Sequence, residues 1–218
     1  YCPDKDGHGK ADRQIEVAGD AGAQSIPGRP ELANPEHGAN SPLWAMDNWI
    51  YFAEYAARFR WRGDGVFERG LTSTRGQYGL SQDDFGGLHY NFNSGHLITD
   101  ITPAHYRLRN PHFPKPGGVA VPPVNQAVWP IRVTPGTNRA YIPENMDGHK
   151  LKDSPAACSP WIYRGDLFPA EFLGNAFACE PALHLIKRDI LSMEEGKLVA
   201  REAYKEKEFL ASTDERFR

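Results

Sequence analysis

The nonapeptide "DKDGHGKAD" at residues 4–12 brings several potential metal ligands together near the start of the chain. Asp4, Asp6 and Asp12 supply carboxylates, and His8 stands where a calcium loop usually carries another oxygen ligand. Ca²⁺ takes about six to eight oxygen ligands, and short Asp-rich loops with glycine supply several of them. His8 is a poor calcium ligand, and no Glu closes the loop. The loop is therefore either a weakened calcium site or a polar turn held by its own Asp side chains.

Arginines are a second group of residues that could bind a ligand. The segment "YRLRNPHF" places Arg109 and Asn110 in a loop flanked by proline, and a guanidinium pairs with carboxylates through two parallel hydrogen bonds. Arg58, Arg60 and Arg62 alternate with aromatic residues along "ARFRWRG", a pattern typical of an exposed strand face. No GxSxG or HExxH motif occurs, so the sequence does not predict a serine hydrolase elbow or a zincin site.

The chain has three cysteines, and their spacing gives no CxxC motif. Cys158 and Cys179 are either a disulfide, if the protein is exported, or two buried free thiols. Cys2 is then left without a partner. No CxxCH haem-attachment motif is present.

Short strands with tight turns position these residues. "LWAMDNWIYFAEY", "ARFRWRG" and "GVFERGLTST" read as one antiparallel meander, and similar patterns recur at 77–101 and 172–190. A meander that returns after about 40 residues is typical of a β-propeller, although the strands of a β-sandwich have similar spacing. We therefore expect an all-β, propeller-like fold of three to four blades.

The domain boundaries follow from composition. Residues 1–41 are polar and irregular and contain the degenerate calcium loop, whereas residues 42–218 hold the expected blades. A Pro-rich stretch at about 102–160 is unsuited to central strands and predicts a long loop insertion. Long ordered loops on a rigid scaffold often carry function.

The overall composition excludes several classes of protein. With 25 Lys and Arg against 28 Asp and Glu, the net charge of −3 does not predict binding to nucleic acid. No stretch approaches 18 consecutive apolar residues, so we expect no transmembrane helix. The chain begins at Tyr1 without a signal peptide, which suggests a removed leader or a piece of a longer protein.

Five segments resemble one known family in sequence and order. They are "NPEHGANSPLWAMDNWIYFA", "RGQYGLSQDDFGGLHYNFNSGHL", "NRAYIPENMDGHKLKDSPAACSPWIYRGDLFP", "GNAFACEPALHLIKRDIL" and "EFLASTDERFR". The chain is similar to large bacterial membrane-bound dehydrogenase-like proteins of the glucose/sorbosone dehydrogenase class. This resemblance implies a six-bladed, calcium-binding, exported propeller that oxidises a sugar or polyol with pyrroloquinoline quinone (PQQ). It also implies a periplasmic or extracellular location and a c-type cytochrome as electron acceptor.

The resemblance also suggests roles for individual residues. His37, on a polar loop just before a predicted strand, is the candidate general base, because such enzymes use a His to take the hydroxyl proton. Arg109 and Asn110 are similar to the "RNP" element that lies near the quinone carboxylates. The chain is too short for six blades, so self-association is one way to complete a ring.

Two alternatives remain open. A calcium-dependent propeller hydrolase, a lactonase or an esterase, would use oxygen ligands such as Asp47, Asp83, Asp84, Asn93 and Asn175, which also suit the turns between strands. A non-catalytic binding or assembly module would keep the blades without chemistry.

Overall fold

The regular structure of the chain is almost entirely β-strand. A computed structural model describes residues 1–21, 24–26, 29–34, 37–113, 117–132, 146–147, 150–214 and 216–217. Within these residues, helix is confined to α1 and short 3₁₀ turns, and the strands form antiparallel sheets. The prediction of an all-β fold is confirmed.

Three antiparallel sheets follow one another along the chain, after a hairpin of β1 (Gln24–Ile26) and β2 (Arg29–Asn34). Sheet I consists of β3 (Asn40–Trp44), β4 (Ile50–Ala53), β5 (Ala57–Trp61) and β6 (Phe67–Leu71). Sheet II consists of β7 (Leu80–Gln82), β8 (Leu88–Phe92), β9 (Gly95–Asp100) and, after α1 (Ala104–Leu108), β10 (Val119–Ala120). A small hairpin of β11 (Met146–Asp147) and β12 (Lys150–Leu151) comes next. Sheet III consists of β13 (Cys158–Ile162), β14 (Ala176–Glu180), β15 (Leu185–Glu194), β16 (Lys197–Glu202) and β17 (Leu210–Ala211).

Local sequence explains the strands and their turns. In β4, Tyr51 and Ala53 are buried while Ile50 and Phe52 are half-buried, as expected when successive side chains point to opposite faces. The chain reverses into β4 through Asn48, whose φ of 63° lies in the left-handed region that Asn tolerates.

Sheet II packs against both other sheets and is the most buried. One apolar core joins sheets I and II through residues that include Trp49, Tyr51, Leu80 and Tyr90. A second core joins sheets II and III through Leu97, Ile162, Ala176 and Ala200. Burial of these apolar side chains is the main favourable term that holds the sheets together.

The first strands of the three sheets meet at their N-terminal ends. The amide of Gly79 donates to Ser41 Oγ at 3.0 Å, and the amide of Ser159 donates to the carbonyl of Tyr78 at 2.8 Å. Ser41, Gly79 and Ser159 all have positive φ angles, of 51°, 94° and 49°. The segment at Tyr78 and Gly79 therefore bonds to both other segments, and we call this meeting of the three chain segments the strand junction.

The observed strands refine the predicted boundaries. β1 and β2 lie inside the segment 1–41 that we expected to be irregular, and β3 begins at Asn40. β10 lies inside the expected insertion at 102–160, yet it pairs with β9 and completes sheet II. The insertion residues 114–116, 133–145 and 148–149 are outside the described part of the chain.

None of the helices in the described ranges is both long enough and apolar enough to span a bilayer.

A buried charged cluster lies between sheets II and III. Lys187 Nζ is 3.1 Å from Glu202 Oε1 and 3.8 Å from Glu208 Oε1, and His96 Nε2 is 2.6 Å from Asp189 Oδ2. Burial raises the pKa of the Glu208 carboxyl to about 7, and the nearby Lys187 opposes this rise only in part. The cost of removing the carboxylate from water thus exceeds its attraction to the ammonium group.

The Glu208→Gln variant tests this balance. Folded Glu208 holds its proton more tightly than in the unfolded chain, so its contribution to stability is greatest below pH 4.5 and is lost as the pH rises to about 7. A pKa rise from 4.5 to about 7 corresponds to roughly 3 kcal/mol. The Gln retains an acceptor for the Trp129 amide, which donates to Glu208 Oε1 at 2.8 Å. We expect urea unfolding to show the variant more stable than the wild type at pH 8 and similar to it at pH 4.5.

Glu206→Gln is the control, because Glu206 is exposed two residues earlier in the sequence. A stability difference for Glu208→Gln that does not change with pH contradicts the assignment.

Candidate functional site

A cleft of about 770 Å³ opens between sheets I and II, at the end where β3 turns into β4 and β9 leads into α1. Sites for small molecules typically have volumes of roughly 300–1,000 Å³. We call it the arginine cleft. The residues that give it its chemical character are Asp47, Trp49, Tyr51, Arg58, Arg60, Glu68, Asp100, His105 and Arg109.

One wall of the arginine cleft is a stack of cations on an indole ring. Arg58 and Arg60 point to the same face of β5 because they are two residues apart. Their guanidinium carbons lie 4.0 Å and 4.4 Å from the centroid of the buried Trp49 ring. Such cation–π contacts are strongest where water is excluded. Arg58 is only 7% exposed, so the interpretation of the alternating arginines as an exposed face is wrong for this residue.

A hydrogen-bonded chain of Arg58, Tyr51 and Asp47 lies beside this stack. Arg58 Nη1 donates to the Tyr51 hydroxyl at 2.9 Å, and that hydroxyl donates to Asp47 Oδ2 at 2.7 Å. Burial, together with the Asp47 carboxylate, raises the pKa of Tyr51 to about 12. Tyr51 therefore stays protonated at neutral pH and holds the Asp47 carboxylate in place.

Helix α1 and its C-terminal end supply the opposite wall. His105 and Arg109 are four residues apart and thus share one face of the helical turn. Burial, reinforced by the positive charge of Arg58, lowers the pKa of His105. Its Nδ1 atom is buried without a hydrogen-bond partner in the described part of the chain. A neutral imidazole facing the cleft can accept a proton from a bound molecule.

Three carboxylates line the arginine cleft, and each already has a partner. Asp47 accepts from Tyr51, and Glu68 accepts from Arg62. Asp100 is bound by the buried Arg75, whose Nε and Nη2 donate to its Oδ2 at 2.8 Å and 2.5 Å. Arg60 and Arg109 make no ion pair with any described residue, and the Nε atom of Arg60 is buried without a partner there. The cleft thus offers two guanidinium groups to an anion, next to aromatic rings.

His37 lies at the other end of sheet I. Its Nδ1 is 3.0 Å from Glu54 Oε1, and Glu54 follows the end of β4, whereas Asp47 and Tyr51 stand at its start and middle. The structure therefore separates His37 from Arg109, although both were predicted to serve one site.

Of the predicted pair Arg109 and Asn110, only Arg109 lines the arginine cleft. Asn110 is exposed, and its side-chain oxygen accepts the amide of His112 at 3.0 Å. Asn110 therefore shapes the turn after α1.

The predicted calcium loop directs its carboxylates at its own backbone. Asp4 accepts the amides of Gly7 and Gly9 at 2.9 Å and 2.7 Å, and Asp12 accepts the amide of Lys5 at 3.0 Å. Asp6 Oδ2 is 2.9 Å from His8 Nδ1. The Gly9 amide, above all, lowers the pKa of Asp4. No group of three or more His, Cys, Asp or Glu side chains in the described ranges is arranged to hold a metal ion.

Cys158 and Cys179 are cross-strand partners in β13 and β14, and both are free thiols. Burial raises the pKa of the Cys158 thiol to about 11.

The residues suggested as hydrolase ligands mostly serve turns and ion pairs. Asp83 accepts the amides of Phe85 and Gly87 and contacts His89, while Asp84 accepts from Arg164. Asn175 Oδ1 accepts from Arg188 at 2.9 Å, and the backbone carbonyl of Asn93 accepts the amide of Ala157.

Sequence reasoning missed His105, Tyr51 and Trp49 as residues of the site. His105 had a usable signal, because its spacing of four residues from Arg109 indicates a shared helix face. Tyr51 and Trp49 look like ordinary strand residues, and only the packing of sheet I on sheet II brings them beside helix α1.

Comparison with known proteins gives a family and no finer relationship. No curated protein and no solved structure matches the chain significantly. The model of the family described as a domain of unknown function, DUF7133, matches residues 1–218. Since this match spans the whole sequence, the chain belongs to the DUF7133 family.

Proposed function

We propose that this chain is the ligand-binding part of a dehydrogenase-like β-propeller, and that the arginine cleft binds a planar organic acid with several carboxylates. The observation that carries the proposal is the pair Arg60 and Arg109, which face one cleft without a carboxylate partner in the described part of the chain. Two guanidinium groups without carboxylate partners favour a bidentate anion, and the neighbouring Trp49 and Tyr106 favour a flat one.

The arrangement of the sheets supports a propeller. Three antiparallel meanders follow one another in the chain, and their first strands pack side by side at the strand junction. Blades of a propeller are placed around an axis in this way, with the first strand of each blade innermost. Further blades, from a second copy or from elsewhere in a longer chain, would close the ring.

PQQ belongs to the proposed class of ligand, because it is a flat quinone that carries carboxylates. The cleft volume of about 770 Å³ leaves room for it, and Arg60 and Arg109 can each bind a carboxylate. When bound, the quinone supplies the hydride acceptor for oxidation of an alcohol. Of the protein groups, His105 and Asp47 face the same cleft and can hold the alcohol proton.

In this proposal, the alcohol is a sugar or a polyol and a c-type cytochrome removes the electrons. His37 does not line the cleft, and its Nδ1 contacts Glu54, which follows the opposite end of β4. We therefore assign the base in this proposal to the cleft and not to His37.

Calorimetry with two probes, PQQ and benzene-1,2,4-tricarboxylate, tests the proposal. We expect both to bind, and Arg109→Ala and Arg60→Ala each to weaken binding by roughly 10- to 100-fold, since each removes a charge-assisted hydrogen-bond donor. Arg201→Ala is the control, because Arg201 is an exposed arginine on sheet III that pairs with Glu194.

Two results would overturn the proposal. One is the absence of binding by either probe, and the other is binding that both cleft variants leave unchanged. Reduction of an artificial dye by PQQ-loaded protein and a panel of sugars then tests the dehydrogenase part. Binding without dye reduction would leave the cleft as a binding site and refute its catalytic role.

A further inference from the structure

A row of aromatic side chains lies on the outer face of sheet I, away from sheet II. The ring centroids of Trp44 and Trp61 are 6.3 Å apart and the rings are nearly perpendicular, at 85°. The Tyr1 ring continues the row, 6.4 Å from Trp61 and 5.5 Å from Phe67. We call Trp44, Trp61, Tyr1 and Phe67 the aromatic row.

The two tryptophans are unusually exposed for their size. Trp44 is 55% exposed and Trp61 is 43% exposed. Strand alternation explains the direction of these side chains, because Trp44 follows the inward-facing Leu43 and Trp61 is the register partner of Phe67. Strand alternation does not explain why these solvent-facing positions carry indole rings. Grouped exposed aromatic rings usually mark a binding surface.

Polar side chains surround the space between the two indoles. A recess of about 360 Å³ is lined by Trp44, Trp61, Asp47, Asn48, Arg60 and Arg62. Trp44 Nε1 donates to Asn48 Oδ1 at 3.4 Å, and Arg62 pairs with the exposed Glu68. The recess therefore combines apolar ring faces with hydrogen-bonding groups around their edges.

We infer that this recess binds an acidic saccharide unit of a polymer, one whose sugar ring bears a carboxylate or a sulfate. The C–H face of a sugar ring is apolar and packs on an indole, while its hydroxyl groups need polar partners at the edge. Asn48 and Asp47 offer such partners. Arg60, which has no ion-pair partner among the described residues, adds a guanidinium group suited to a bidentate anion, whereas Arg62 is held by Glu68.

The same charges decide against other ligands of aromatic surfaces. A quaternary ammonium group also binds between aromatic rings, but the unpaired guanidinium of Arg60 would repel it. A neutral sugar would leave the guanidinium of Arg60 without an anion, because no described residue pairs with it. An acidic sugar satisfies both the rings and the charge.

This inference does not rest on the proposed function. The recess and the arginine cleft share Asp47 and Arg60, but the two tryptophans face only the recess, and Arg109 lines only the cleft. Arg109→Ala should therefore leave saccharide binding unchanged, and Trp61→Ala should leave binding of PQQ unchanged. The two ideas can fail separately.

Affinity electrophoresis with three polymers tests the inference. Alginate provides carboxylates, dextran sulfate provides sulfates, and dextran is the neutral arm. We expect retardation by at least one acidic polymer and little by dextran. Trp44→Ala and Trp61→Ala should each weaken this binding at least 10-fold. The choice between alginate and dextran sulfate identifies the anion.

Trp161→Ala is the matched control, because Trp161 is 57% exposed on sheet III, away from the recess. Melting temperatures confirm that the variants remain folded, as expected for exposed positions. Failure to bind any polymer overturns the inference, and so does binding that survives both recess variants, which would indicate attraction by charge alone. Equal binding of dextran would refute the requirement for an acidic sugar.

Discussion

Replacing Gly79 by alanine should destabilise the protein more than any other single methyl group added at a glycine in the described structure. A Cβ atom at Gly79 would lie 2.3 Å from the Cα and 2.8 Å from the amide nitrogen of Ser159. Both contacts are with backbone, so no side-chain rotation can relieve them. Gly79 also has a φ of +94°, which side chains rarely adopt. We expect a loss of about 4 kcal/mol or more, or failure to fold, measured by urea unfolding.

Gly63→Ala separates the two causes. Gly63 has the same φ of +94°, but nothing lies within 4 Å of its added Cβ. Its substitution should cost only the backbone strain, roughly 1 to 2 kcal/mol. If the two variants lose equal stability, the close approach of Gly79 to Ser159 is wrong, and so is the strand junction built on it.

The strand junction shows what the sequence could not reveal. Alternating apolar residues and turn residues correctly indicate antiparallel meanders. Positive φ at Ser41 and Ser159 has no sequence signal, because serine adopts ordinary backbone angles at most positions. Gly79 is one of 21 glycines, and its role depends on Ser159, which is remote in the sequence. Contacts between sheets, and not local propensity, fix this geometry.

The geometry of the arginine cleft also depends on contacts between sheets. Arg109 was predicted to bind an anion, and the structure places it in a cleft where no described carboxylate pairs with it. The other arginines looked like a solvated face, because alternation indicates only which residues share a face and not what covers it. Trp49 covers Arg58 and Arg60, and sheet II encloses the stack. Charged side chains on an alternating strand can thus be buried when they pack against an aromatic ring and donate a hydrogen bond to a hydroxyl group.

The second large effect is expected at the buried ion pair that borders the arginine cleft. The side chains of Arg75 and Asp100 are 2% and 7% exposed, and Arg75 Nη1 also donates to Thr72 Oγ1 at 2.6 Å. The Tyr90 hydroxyl donates to Asp100 Oδ1 at 3.1 Å, and burial raises the pKa of Tyr90. Arg75→Met should cost about 3–5 kcal/mol in urea unfolding at pH 7, because it leaves the Asp100 carboxylate buried without its cation.

The double variant Arg75→Met, Asp100→Asn isolates the charge as the cause. The introduced side-chain amide can still accept the Tyr90 hydroxyl, but it carries no charge, so the double variant should be more stable than Arg75→Met alone. Arg201→Met is the control, since its pair with Glu194 is exposed and screened by water and should contribute little to stability. A double variant less stable than Arg75→Met would show that lost packing, and not the buried unpaired carboxylate, dominates.

Asp100→Asn should also increase the affinity of the cleft for the tricarboxylate probe, because a carboxylate that borders the anion site is removed.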